Sequence, residues 1–399
     1  MNLVRATLRA AFIGAALGAC SSPPPSVLVP APSAGTIVGT LFLIGDAGAA
    51  QPNDPVLAAL TRAAAEAPTA STIIFLGDNV YPLGLPDSAD AERPRAEARL
   101  NAQIAVARES GARAWFVPGN HDWQRGRPGG WAAMLRQVAF VREHGAGLAA
   151  VVPEGGCPGP AIQDAPGDLR LVVLDTQWWL QSNERPTGAA SGCPTADSAA
   201  FVAALSTALS EAGQRDVVIL SHHPYRTHGV HGGHFTIVEH VFPLREIEPW
   251  LWVPLPIIGS AYPIARQNGI SDQDMSGGKY HTLLAVLTEV LKSRPPTIYA
   301  AGHDHSLQVL GDSLVPTVIV SGAGYYNHRD PVGHSENTRF AVSRSGFVRV
   351  DRLSDGRLRL GVIVVDEQGA REAYSEWVDT TGNRERGKGN GARGATNRE

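Results

Sequence analysis

Along this 399-residue chain, apolar β-branched runs end again and again on side chains that bind protons or cations. The run from Thr36 closes on Gly45-Asp46, and Thr72-Ile73-Ile74-Phe75-Leu76 closes on Gly77-Asp78 with Tyr81 shortly after. Ala114-Trp115-Phe116-Val117-Pro118 leads to Gly119-Asn120-His121-Asp122, the run from Asp216 leads to His222-His223-Pro224, and the run from Thr297 leads to Gly302-His303-Asp304-His305. A lone Gly-Asp is a turn, and a lone histidine after a strand is as readily core packing. Carboxylates, an amide, a phenol and imidazoles delivered in order by successive strands are instead a donor set for two cations. Asp46 and Asp78, brought side by side, would repel unless a cation lay between them or one were protonated.

The elements around these blocks read as an α/β rhythm. A strand over 36–45, a helix over 55–67 and the strand into Asp78 make a β-α-β unit, and open α/β sheets carry their chemistry where such strands end. Residues 89–111 are helical by composition, with an interruption expected near Pro94. Helices follow at 131–144, at 195–212 with the apolar face Phe201, Leu205 and Leu209, and at 280–291; strands are expected at 169–175, 216–221 and 297–301. Beyond these, strands at 315–321, 346–350, 358–365 and 373–378 are joined by short Ser/Asp/Gly turns without helices, which predicts antiparallel pairing.

The blocks resemble those of the calcineurin-like metallophosphoesterase superfamily, over the stretch from Leu41 to Ser321. Most of that superfamily has a histidine two residues after the first aspartate, where this chain has Gly48. The purple acid phosphatase branch shares the Asp-x-Gly pattern and carries a tyrosine three residues after the second aspartate, where Tyr81 stands. The resemblance implies a four-layer α/β/β/α sandwich of two mixed sheets. It implies one metal ion held by Asp46, Asp78, Tyr81 and His305, and a second held by Asp78, Asn120, His222 and His303. The first would be Fe(III), the second a divalent Fe, Zn or Mn. It gives His121 a place against the phosphate oxygens and His231 a substrate-side role, for which His223, His228 and His234 compete. The implied activity is acid phosphatase-like hydrolysis of a small phosphorylated substrate by water activated between the cations. Two alternatives stay open: a phosphodiesterase acting on nucleotides or lipid headgroups, and a non-catalytic metal-binding envelope lipoprotein.

Composition sets the outer limits. With 43% hydrophobic and 18% charged residues the chain can bury a substantial core, and a net charge of -4 gives no field for nucleic acid. Arg5, Arg9 and the apolar stretch 11–17 read as an export signal over residues 1–20, and Leu17-Gly18-Ala19-Cys20 resembles a lipobox that would lipidate Cys20. An ordinary secretory signal is the simpler alternative. Residues 21–36 then form a Pro/Ser-rich tether, 37–378 the catalytic domain with an insert at 225–281, and 379–399 a disordered tail. The expected location is the periplasm or outer membrane of a bacterium, with the lipid anchor touching the membrane. There, Cys157 and Cys193 would pair as a disulfide, two buried thiols being the alternative. The apolar part of the insert, 241–266, carries Trp250, Trp252, Ile257, Ile258 and Tyr262, but its charges and prolines exclude a membrane span. A cap beside the metals is the simpler reading, an apolar surface touching lipid the other. Trp178-Trp179 reads as buried packing, with a pocket wall as the alternative.

Overall fold

The computed structural model describes residues 28–380 except 68, 70, 196 and 247–249; the expected export signal with Cys20, the expected tether up to residue 27 and the expected disordered tail from 381 lie outside the described residues. The first unit is β1 (Ile37–Ile44), α1 (Pro55–Ala65) and β2 (Ser71–Phe75), with β1 and β2 parallel from Thr40 opposite Ser71 to Ile44 opposite Phe75. Asp54 caps α1 by accepting the Val56 N–H at 2.8 Å, and Pro55 opens the helix where its missing N–H costs nothing. The same rule corrects the break expected near Pro94. α2 (Arg93–Ser110) is uninterrupted, with the proline in its first turn and Gly111 ending it at φ 73°.

β3 (Arg113–Phe116), α3 (Gly130–His144) and β4 (Ala149–Val151) extend the first sheet. The chain then crosses to a second sheet through β5 (Ala161–Ala165), β6 (Leu169–Val173), α4 (Gln177–Leu180), α5 (Ser198–Ser210) and β7 (Asp216–Leu220). The insert contributes the short helices α6 (Ile237–Val241) and α7 (Ala261–Gln267), and α8 (Gly278–Ser293) returns to β8 (Ile298–Ala301). β9 (Leu307–Leu310), β10 (Val318–Ser321) and β11 (Thr338–Val342) complete that sheet, while β12 (Gly346–Leu353), β13 (Leu358–Asp366) and β14 (Gly369–Val378) rejoin the first as an antiparallel meander. The strand orders are β14-β13-β12-β1-β2-β3-β4 and β11-β9-β10-β8-β7-β6-β5, each sheet mixed.

Alternation along the strands builds the layers. Leu41, Leu43 and Ile74 face Leu171, Val218 and Leu220 between the sheets. Phe42, Ile73 and Phe75 face outward onto Leu60, Leu100 and Met134 of the first helical layer, and Val172 and Ile219 onto Leu205 and Leu287 of the second. The result is the four-layer α/β/β/α sandwich. Cys157 and Cys193 are joined by a disulfide that ties the segment before β5 to the segment before α5. Trp178 is buried, and Trp179 packs on Phe201 with ring centroids 5.3 Å apart. Among the described residues no helix is long and apolar enough to cross a membrane.

Candidate metal centre

Both sheets aim the carboxyl ends of their parallel strands at one place. β1 leads to Asp46, β2 to Asp78 and β3 to Asn120 and His121; from the facing sheet, β7 leads to His222 and β8 to His303 and His305. The backbone turns sharply at three of these residues, Asp46, Asp78 and His303, which hold φ of 60°, 54° and 72°. Left-handed backbone costs a residue with a Cβ on the order of 1 kcal/mol, and such strain collects where geometry serves chemistry. Tight packing explains the glycines. A Cβ on Gly77 would stand 2.3 Å from His222 Nδ1, and one on Gly48 would stand 2.4 Å from the Asp78 carbonyl oxygen and 2.5 Å from the Val80 nitrogen. No histidine fits at position 48.

The donors form two sets. In the first, the Tyr81 hydroxyl donates to Asp46 Oδ1 at 3.0 Å and lies 3.3 Å from His305 Nε2, itself 3.6 Å from Asp46 Oδ1. In the second, Asn120 Oδ1 lies 2.8 Å from His222 Nε2 and 3.2 Å from His303 Nδ1, and those two ring nitrogens are 3.2 Å apart. Asp78 joins the sets: its Oδ1 lies 3.5 Å from His222 Nε2, and its carboxyl feels both Asp46 and Tyr81. Ligand atoms of Asp46, Asp78 and His222 lie within 4.8 Å of one another.

The outer nitrogens decide what the inner ones offer. His222 Nδ1 lies 2.8 Å from the Leu76 carbonyl, His303 Nε2 lies 2.8 Å from the Gln273 carbonyl, and His305 Nδ1 lies 2.7 Å from Asp330 Oδ2. Carbonyl oxygens only accept, so the outer nitrogens of His222 and His303 carry the hydrogens. Burial holds both rings below the usual histidine range and therefore neutral. Their inner nitrogens and Asn120 Oδ1 then converge as lone pairs with no hydrogen between them. Such a set suits a cation, and imidazoles tied on the far side to carbonyls or a carboxylate are how proteins orient metal ligands. The residues present fit two metal ions.

The first set is charged where the second is neutral. Burial and the charge of Asp46 push the Asp78 carboxyl well above the usual carboxylate range, and burial with both carboxylates pushes the Tyr81 phenol up. Burial raises Asp46 as well, but the hydrogen bond and charge of His305 oppose it and the carboxyl is held low. Burial opposes charge on His305, yet Asp330 and Asp46 raise it well above the histidine range. Its proton lies beside the oxygens that a cation would neutralise.

His121 flanks the sets, with Nδ1 2.6 Å from the Pro82 carbonyl, Nε2 3.8 Å from Asp78 Oδ2, and a pKa pushed well down by burial. Asp122 braces the loop around Asp78, accepting the N–H groups of Gly119, Asn79 and Val80; burial and the charge of Asp78 push it up to about 7. His231, from the insert, stacks on His303 with centroids 3.8 Å apart, its Nδ1 2.8 Å from Asp274 Oδ1 and its backbone N–H on Asp304 Oδ1 at 2.9 Å. Arg266 Nε in turn grips Asp274 Oδ2 at 2.8 Å. His223 stands near His222 and His303 too, but Thr176 Oγ1 at 2.8 Å and Gln273 Oε1 at 3.0 Å engage its two nitrogens, so it has no lone pair to give. His228 bonds Asn337 Oδ1 at 2.9 Å, away from both sets, and His234 is half-buried against Gly333.

Sequence reasoning missed Asp330, the Gln273 carbonyl and His328, whose ring lies 3.7 Å from that of His305 and 4.2 Å from that of Tyr325. Asp330 and His328 follow β10, another parallel strand ending at the site, but deeper into its loop than the blocks that stood out.

No protein-family model matches this chain, and no curated protein matches it in sequence. Solved structures similar to it include GAP50, described as the anchor in the inner membrane complex of Plasmodium, at 14% identity and a TM-score of 0.55 over 86% of this chain and 89% of that one. The purple acid phosphatase PPD1 from yellow lupin seeds aligns at 11% identity and a TM-score of 0.47, over 87% and 55% of the two chains. The calcineurin-like phosphoesterase YfkN from Bacillus subtilis aligns at 9% identity and a TM-score of 0.33, over 88% and 92%. The first shows a shared fold; the other two superpose too loosely to carry an argument.

Proposed function

We propose that this chain is a phosphoric ester hydrolase working with two metal ions, acid phosphatase-like in its chemistry. One observation carries the reading: the lone pairs of His222, His303 and Asn120 converge beside the Asp46, Tyr81 and His305 set, with Asp78 reaching both. Asp46, Asp78, Tyr81 and His305 would hold one ion, and Asp78, Asn120, His222 and His303 the other. Carboxylates and a phenolate suit Fe(III), while imidazoles with an amide oxygen suit a divalent Fe, Zn or Mn. Two such ions, when bound, polarise phosphate oxygens and lower the pKa of water in their field.

The chain's own residues do the rest. His121, fixed through Nδ1–H on the Pro82 carbonyl, keeps the lone pair of Nε2 at the edge of the site, where it can take a proton from a reacting group. His231, fixed through Nδ1 on Asp274, turns its other nitrogen away from that carboxylate and toward substrate oxygens. Asp122 keeps the Asp78 loop from relaxing. The Cys157–Cys193 disulfide supports export to an oxidising compartment, with Cys20 as the lipid anchor of a periplasmic or outer-membrane protein.

A reading of another class has one observation behind it: the Plasmodium protein of similar fold is described as an anchor, so this chain could serve as a non-catalytic metal-binding envelope protein. Metal-loaded protein assayed on an aryl phosphate and on the matching diester separates monoesterase, diesterase and scaffold. Turnover of neither ester with both metals bound would leave the scaffold. A tyrosinate-to-Fe(III) absorption band in the visible, lost in Tyr81→Phe, is expected; colourless protein holding only zinc or manganese removes the iron and keeps the hydrolase.

A further inference from the structure

A cavity of about 600 Å³ lies between the insert and the loop after β10, lined by Phe242 and Arg245 on one side and by Tyr325, His328, Arg329 and Asp330 on the other. That volume is typical of small-molecule sites, roughly 300–1,000 Å³. The cavity shares a wall with the metal centre. The His328 ring centroid lies 3.7 Å from that of His305, tilted, and 5.4 Å from that of Tyr81, edge-on, and His305 Nδ1 donates to Asp330 Oδ2 at 2.7 Å.

The polar groups of the lining are unevenly engaged. Its acids are taken: Asp330 by His305, and Glu239 Oε2 by the amide and hydroxyl of Thr236 at 2.7 and 2.6 Å. Its cations are not. Arg245 lies with its guanidinium carbon 3.9 Å from the Trp252 ring centroid, which fixes its plane, and its buried Nε has no hydrogen-bond partner among the described residues. The buried Nδ1 of His328 is likewise without a partner, and the exposed Arg329 at the rim makes no ion pair among the described residues. Buried polar groups are normally satisfied, so unsatisfied nitrogens within the walls of a cavity whose guanidinium groups have no carboxylate partner among the described residues point to an anion that belongs there. Planar guanidinium forks match carboxylate and phosphate oxygens.

We propose that this cavity is a second anion-binding subsite, taking a phosphate or carboxylate carried on the leaving group of the ester held at the metal centre, with Arg245 and Arg329 as its cationic donors. The identity of that ester rests on the hydrolase reading; the anion site does not. The substrates favoured are then phosphate esters bearing a further acid group, whose organic part packs against Phe242 and Tyr325.

Calorimetry on full-length protein freed of metal isolates the cavity, with inorganic pyrophosphate as the probe. Binding is expected to weaken about tenfold in Arg245→Ala and in Arg329→Ala, as loss of one charge-assisted contact implies, and to recover in part in Arg245→Lys. Arg329 is exposed, so its variant tests the site without threatening the fold. Equal binding by wild type and both alanine variants overturns the subsite. On the metal-loaded enzyme, the ratio of kcat/KM for para-carboxyphenyl phosphate, or for phenylene bisphosphate, over phenyl phosphate should exceed one and fall in the same variants. The ranking of the two acidic esters tells which anion the site prefers. A ratio unaffected by both substitutions overturns the link to the leaving group. Pyrophosphate binding that depends on the arginines, without turnover of any ester, retains the anion site and overturns the hydrolase reading.

Discussion

Asp330 meets no cation position itself, yet it takes up the outer nitrogen of His305 and so orients the ring. With Nδ1 donated to the carboxylate at 2.7 Å, Nε2 is left to face Asp46 Oδ1 and the Tyr81 hydroxyl. The charge of His305 in turn holds Asp330 down at about 2, although burial alone would raise it. Outer carboxylates of this kind typically account for about 10–100-fold in metal affinity. Asp330→Asn should therefore weaken the first metal ion by that range in a chelator competition while leaving the second bound, because His222 and His303 are oriented by the Leu76 and Gln273 carbonyls instead. Equal loss of both ions would show that the two sets are not separable. Gly48 likewise acts through its immediate contacts. Its missing side chain is a packing requirement of the Asp78 loop, and Tyr81 supplies a donor from outside that contact.

The insert has two faces with different physics. Its inner end is part of the site: Gln273 holds His303, and the Arg266-Asp274-His231 chain lays an imidazole on that same histidine. The cap reading describes this end. Its outer end leaves Trp250, Ile257, Ile258 and Ile270 exposed at 71, 90, 75 and 73%, more apolar surface in one segment than scattered exposure accounts for. Asp274 pins the inner end. Burial raises its carboxyl, but the Arg266 and His231 bonds outweigh that and hold it below the ordinary aspartate value of 3.8. A carboxyl with a depressed folded pKa contributes stability that is complete above its unfolded value and lost as pH falls through the folded one. The insert should thus stay docked in mild acid and loosen only below pH 3.8, read as faster hydrogen exchange over residues 261–274. Asp274→Asn should show the faster exchange already at neutral pH, with KM rising more than kcat falls. Exchange that speeds up near pH 6 in the wild type would place the pin elsewhere.

Over the whole molecule, the site depends on two sheets staying face to face, and the apolar contacts of Leu41, Leu43 and Ile74 with Leu171, Val218 and Leu220 supply that. The disulfide acts differently. It closes a loop of 36 residues in sequence, which in the chain-entropy account stabilises the fold by about 4 kcal/mol, mainly through the unfolded state. Cys193→Ser should lower stability in denaturant titrations by about 2–5 kcal/mol while metal content is retained, since none of the donor residues lies in the closed loop. Loss of metal at unchanged stability would assign the bridge to the site rather than to the chain.

The strand ends were legible because their signal is local: each apolar run stops within a few residues of the group that it positions, as at Phe75 before Asp78 or Ala301 before His303. Antiparallel closure by β12, β13 and β14 was legible for the same reason, from turns without intervening helices. β4 spans only Ala149–Val151, and β9 starts two residues after His305 with only Ser306 between them, so both escaped a reading by composition. Propensity placed a break at Pro94 where capping placed a helix start. By itself, then, the sequence determined the sheet rhythm and the donor types. Only the tertiary structure decided which nitrogens carry hydrogens, that Asp330 and His328 join the site, that His223 is spent on Thr176 and Gln273, and that a cavity lies beside His305. Each of these depends on contacts between loops distant in sequence, which no local periodicity records.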